Sequence, residues 1–146
     1  MALNLASSLT DRVAGILVDS QGRVLLARRK KGEYPWDAPG GRLEGGENPE
    51  TALRRELLDG LGVEAQEYRH FATLETDVLD DTPATHFIFL VTRWAGESQN
   101  KRPDTYAELR WTPPRDLEGM SMVPLIRRGL QRAVATWTLA AGGQDR

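Results

Sequence analysis

One segment limits what this chain can fold into more than any other. Residues 41–63 run from a Gly-Gly loop into a short amphipathic helix. Asn48 and Pro49 mark the helix entry: a side-chain oxygen to cap it, then a residue whose φ is already helical. Leu53, Leu57 and Leu61 recur at i+4 steps and form an apolar stripe that must dock on a core. Glu56 and Asp59 fall one turn apart on one face, expected to be exposed and able to converge on one cation. Arg55 lies beside them, and Glu47 sits in the loop that folds back toward the helix.

The rest of the composition narrows the class. A chain of 146 residues, 40% apolar and 27% charged, has enough material for one soluble domain with a sizeable core. Its formal net charge of −2 supplies no global field to recruit nucleic acid, which is not an expected partner. A polyanionic ligand would need local cations or a bound metal. With no cysteine, disulfides, thiol catalysis and cysteine-ligated zinc are all excluded. Met1 to Thr10 is neither basic nor apolar enough for a signal peptide, and no apolar run approaches membrane length. A cytoplasmic setting is expected.

Along the chain, residues 1–10 are expected to form a loose arm. Val13 to Val18 reads as a strand, Asp19 to Gly22 as a turn, and Arg23 to Arg28 as the returning strand of a hairpin. Arg28 to Gly32 is a basic cluster, either a solvated loop or a place where cations meet phosphates. Further strands are expected around Tyr68–Thr76, over His86–Thr92 and over Glu108–Trp111, with a turn at Asp80–Pro83. Residues 95–105 read as an exposed loop. Pro124 to Leu139 shows helical spacing, with Gly142-Gly143 expected to stop it. Strands on both sides of an early helix, with a second helix at the end, predict an α/β fold: a mixed sheet between helical layers.

Residues 41–63 resemble the Nudix box, G-x5-E-x7-R-E-U-x-E-E-x-G-U with U aliphatic. Gly41, Glu47, Arg55, Glu56, Leu57, Gly62 and Val63 match it position by position. Asp59 replaces the first glutamate of the Glu-Glu pair, and Gly60 replaces the second. The resemblance extends loosely to most of the chain, and the run from His86 to Leu117 looks like that of small MutT-like proteins. It implies a single Nudix domain over 1–146, an α/β/α sandwich with a mixed β-sheet.

The resemblance also implies chemistry: water attack on a diphosphate, assisted by Mg²⁺ with Mn²⁺ as a substitute. Glu56, Asp59 and the main-chain carbonyl of Gly40 would hold the metal. Arg55 would orient the acids or Glu47, and Glu47 would be a brace or an outer-sphere ligand. Glu108 is a further candidate acid, with Asp104 and Glu75 behind it. Arg28 and Arg29 are candidates for the phosphates, and Trp36, in a loop beside the glycines, for the base. His70 and His86 read as packed strand residues rather than catalysts.

At position 60 the family carries a principal metal ligand, and glycine also costs about 1 kcal/mol against alanine inside a helix. Either the helix ends early at Gly60 or the position tolerates the loss. Two functions follow. One is a hydrolase of a nucleoside diphosphate derivative, best a nucleoside triphosphate, normal or oxidised. The other is a nucleotide-binding module with weakened or lost hydrolysis. A ligand-free interaction scaffold fits least well, because it leaves Glu47, Arg55 and Glu56 without a reason for their spacing. Base, scissile bond, general base and oligomeric state stay open.

Overall fold

The computed structural model describes residues 11–76 and 84–144. Its centre is β1, Arg12–Leu17, whose apolar side chains alternate between two cores. Val13 and Leu17 face one cluster, and Ala14 and Ile16 face the other. A strand buried on both faces needs neighbours on both edges. β1 pairs antiparallel with β4, Gly40–Arg42, and parallel with β6, Ala84–Ala95. β5, Glu64–Thr76, completes this mixed sheet in the order β4-β1-β6-β5.

A second, antiparallel sheet has the order β3-β2-β7: Trp36–Asp37, Val24–Arg29 and Tyr106–Thr112. The expected hairpin is therefore overturned. The turn at Asp19–Gly22 reverses the chain, with Asp19 accepting from the amides of Gln21 and Arg23. Only a single bridge, Val18 to Val24, joins the two strands before they part into separate sheets. Both edges of β1 are already taken, so β2 must find other partners.

Helix α1, Pro49–Leu61, covers one face of the mixed sheet. Leu53, Leu57 and Leu61 pack against Val13, Leu17, Phe89 and Val91. Asn48 caps it as expected, accepting from the Thr51 amide at 2.9 Å. The helix runs through Gly60 and ends at Gly62, whose φ of 74° is the left-handed conformation glycine adopts without strain. Helix α2, Pro124–Gln144, covers the other face: Ile126, Leu130, Ala133 and Val134 join Ala14, Ile16, Ile88 and Leu90. This is the expected α/β/α sandwich. The backbone of α2 continues past Gly142-Gly143, so those glycines do not end it. Pro114–Gly119 forms a short 3-10 helix leading to it. The loose arm expected at 1–10 and the turn at Asp80–Pro83 lie outside the described residues.

Candidate active site

The site grows from two glycines where β4 crosses β1. A Cβ on Gly40 would lie 1.9 Å from the Val13 carbonyl oxygen, and one on Gly41 would lie 2.4 Å from the Glu56 carboxylate. Only glycine lets the strand run this close to both neighbours. Glu56 is thereby held against the β4 backbone, and it is 7% exposed. The expectation of a solvent-facing Glu56 fails here, because the helix face carrying it packs toward β4. Asp59, one turn on, is exposed as expected.

Arg55 binds loop, strand and helix together. Its Nε and Nη2 donate to both oxygens of Glu47, at 2.7 and 2.9 Å. Nη2 also donates to the Arg42 carbonyl, and Nη1 donates to Glu56 Oε2 at 2.7 Å. Glu47 in turn accepts from the Glu44 amide at 2.9 Å. The hydrogen bond from Arg55 holds the Glu47 carboxyl at a pKa of about 2, with the Glu44 amide and the Arg55 charge adding to it against the penalty of burial. A bidentate, charge-assisted pair of this kind fixes orientation as well as charge.

The second oxygen of Glu56 meets a residue that the sequence did not single out. Arg102 Nη1 donates to Glu56 Oε1 at 2.6 Å. Burial alone would lower the pKa of Arg102, but the Glu56 hydrogen bond and the charges of Glu56, Tyr106 and Asp59 hold it above its ordinary value. Its guanidinium lies over Gly60, where a Cβ would stand 3.6 Å from Arg102 Cζ. The loop carrying it is fastened to the end of α1: the amides of Gln99 and Lys101 donate to the carbonyls of Leu61 and Gly60. These are the carbonyls a helix leaves unpaired at its C-terminus. No short sequence spacing connects 102 to 56, so only the fold brings them together.

An open polar cleft runs over these groups. Glu56, Asp59, Gly40, Arg55 and Arg29 line it, as do Arg12, Arg42, Glu44, Arg102, Thr105 and Tyr106. Glu47 supports it from behind through Arg55. The Tyr106 hydroxyl donates to the Gly40 carbonyl at 3.3 Å. Arg29 follows Arg28 on β2, so strand alternation sends the two to opposite faces, and the β2–β7 register shifts between them. Arg29 also pairs with Asp37 at 3.0 Å.

Three expected site residues lie elsewhere. Arg28 pairs with Glu108 across β2 and β7, and Glu108 is shared with Arg110, so this cluster satisfies itself away from the cleft. Trp36 is a buried β3 residue, with the Arg110 guanidinium 4.7 Å from its ring centroid. Its indole lines neither the cleft nor the pocket beside it. Asp104 and Glu75 are exposed and also outside the cleft. An apolar pocket adjoins, sharing Arg12, Arg29, Gly40 and Gly41 with the cleft. Phe71, Leu74, Ile88 and Ile126 line it, with Asp37 and His86 as polar groups. Burial lowers the pKa of His86, against the pull of Asp37.

Two close-packed glycines, an Arg–Glu hub and a buried helix carboxylate thus meet at one polar cleft. The NUDIX domain model matches residues 8–137, and the chain belongs to the Nudix family. It is a MutT-like small Nudix hydrolase. It is 36% identical over 95 residues to an 8-oxo-dGTP diphosphatase of Proteus vulgaris, covering 61% of this chain and 81% of that one. An RNA pyrophosphohydrolase of Novosphingobium aromaticivorans is 31% identical over 142 residues, covering 84% of this chain and 88% of the relative. A solved MutT NUDIX hydrolase from Burkholderia pseudomallei superposes with a TM-score of 0.75 at 24% identity, covering 84% of this chain and 95% of that one.

Hydrolases of this family generally use divalent metal ions. The oxygens of Glu56, Asp59 and the Gly40 carbonyl are of the kind a hard cation takes. Here, however, each Glu56 oxygen accepts from a guanidinium and the Gly40 carbonyl accepts from Tyr106, so an ion would have to displace these partners. Among the described residues, no three acids or histidines gather into a ready cage. An ion held by this set keeps several waters. Among the described residues, no helix is long and apolar enough to cross a membrane.

Proposed function

We propose that this enzyme cleaves the diphosphate linkage of a nucleoside triphosphate, normal or oxidised, with Mg²⁺ as its ion and Mn²⁺ as a substitute. The carrying observation is that one cleft joins the Glu56–Asp59–Gly40 oxygens to a rim of arginines, Arg12, Arg29 and Arg42. Acids alone would repel a polyphosphate, and cations alone would only bind it. The apolar pocket is contiguous with this cleft, and its mouth is the proposed place of the base. The relatives named 8-oxo-dGTP diphosphatase and RNA pyrophosphohydrolase bear names of the same chemistry. The proposed setting is the cytoplasm.

A bound divalent ion supplies charge neutralisation at phosphate and lowers the pKa of a coordinated water. The chain itself does the rest. Arg12, Arg29 and Arg42 hold the phosphates in line. The Arg55–Glu47 pair fixes Glu56, so its oxygen need not reorganise as charge develops. A water oxygen bonds to phosphorus as the bridging P–O bond breaks, and the exposed acids Glu44 and Asp59 are at hand for its proton. Glu47 acts as a brace, since both its oxygens are spent on Arg55.

A panel of normal and oxidised nucleoside triphosphates, with Mg²⁺ and with Mn²⁺, tests this by phosphate and pyrophosphate release. Metal-dependent turnover that disappears in Glu56→Gln is expected. One observation favours a second reading, a nucleotide-binding module: Gly60 supplies no carboxylate, and Arg102 engages Glu56. Nucleotide-induced thermal stabilisation with no turnover for any compound would establish that reading instead.

A further inference from the structure

The two arginines on Glu56 are not equivalent. Arg55 is saturated, with Nε, Nη1 and Nη2 all donating to Glu47, Glu56 and the Arg42 carbonyl. Arg102 donates to Glu56 through Nη1, while its Nε and Nη2 have no partner among the described residues. It lines the cleft, with its side chain 27% exposed. Its position coincides with a gap in the helix. Gly60 lies one turn beyond Glu56 on the buried face of α1, and the guanidinium fills the space that a side chain there would enter. A second carboxylate at 60 would converge with Glu56 on a cation. In this chain the cation is already present and covalently attached.

We propose that Arg102 is a phosphate-binding residue that replaces one divalent ion. Its fixed charge does at Gly60 what an ion held by a carboxylate there would do, and its free donors receive a substrate phosphate. This rests on the polyphosphate reading of the same cleft. A guanidinium is suited to the task because its planar fork matches phosphate oxygens two at a time and never loses its charge. Its loop is held by the backbone bonds of Gln99 and Lys101, so trimming the side chain leaves the loop anchored.

The test is a cycle of four proteins: the parent, Gly60→Glu, Arg102→Gln and the double variant. Mn²⁺ binding is followed by electron paramagnetic resonance without nucleotide. Gly60→Glu alone is expected to bind no more Mn²⁺ than the parent, because the new carboxylate pairs with Arg102. The double variant is expected to bind one more ion per chain. Separately, affinity for inorganic triphosphate with Mn²⁺ is expected to fall about 10- to 100-fold in Arg102→Gln, the scale of a lost charged hydrogen bond. Arg102→Lys should recover part of it. An extra ion in Gly60→Glu alone, or triphosphate affinity within about twofold of the parent in Arg102→Gln, would overturn the proposal. Neither readout requires turnover. A failed nucleotide panel alongside an intact cycle therefore rejects the hydrolase reading and leaves Arg102 in its role.

Discussion

Glu56 illustrates how one buried carboxylate governs both stability and chemistry. It sits between two guanidiniums at 2.7 and 2.6 Å, so Glu56→Gln leaves both facing a neutral amide. A cost of about 1–3 kcal/mol in unfolding free energy is expected, since both guanidiniums lose a charged partner that is largely buried at the floor of the cleft. Turnover should fall by at least the roughly 100-fold that losing a supporting partner of a metal site can cost. Denaturant unfolding and steady-state kinetics on the same preparation separate the two effects. Glu47 gives a pH signature. Its pKa is about 2 in the folded chain against an ordinary 4.5, so its contribution is fully present above about 4.5. That contribution is lost as pH falls from there toward about 2. The acid limb of a stability–pH profile should therefore be shallower in Glu47→Gln than in the parent. Equal limbs would show that the Arg55 pair does not depress this group. Of the cleft lining, Arg55, Glu56 and Asp59 were legible because they lie within one helix, where spacing alone sets proximity; Gly40, in β4, came only from the family resemblance. Arg102, Arg12 and Tyr106 were not, because their partners are distant in sequence and fixed by strand pairing.

At the scale of the element, α1 sets two demands against each other. Its leucine stripe is fully buried, and Leu57→Ala should cost about 2–5 kcal/mol through lost transfer energy and the cavity left behind. Gly60 is a weak point in the same helix. A methyl there meets Arg102 at 3.6 Å, which is ordinary contact, and the backbone is helical. Gly60→Ala should therefore stabilise by about 0.5–1 kcal/mol, read as a rise in the denaturant midpoint. A fall would mean that the methyl displaces the Arg102 guanidinium. The start of the helix was legible, because Asn48 and Pro49 are strong local signals, whereas its end was left open at Gly60 and is set at Gly62. The supposed hairpin was misread for the complementary reason. A turn reports only that the chain reverses, and the edges of β1 were claimed by β4 and β6, from 40–42 and 84–95. Nothing local to 13–28 carries that information.

Across the whole molecule, the cleft is a seam. Gly40 and Gly41 come from the mixed sheet, Arg29 and Tyr106 from the antiparallel one, and Glu56 and Asp59 from α1. A ligand that bridges these parts binds only the assembled fold, so it must stabilise the native state by mass action. At a concentration about 100 times its Kd, a nucleoside triphosphate should add about 2.7 kcal/mol. For a chain of this size, that is a rise in Tm of roughly 5–10 °C. Two adjacent arginines make the measurement specific. Arg29 lines the cleft, whereas Arg28, on the opposite face of β2, is committed to Glu108. Arg29→Gln should lose much of the ligand-induced shift, and Arg28→Gln should keep it. Loss in both variants would point to the general charge of the basic cluster rather than to its geometry. Loss in Arg28→Gln alone would put the phosphates on the opposite side of β2.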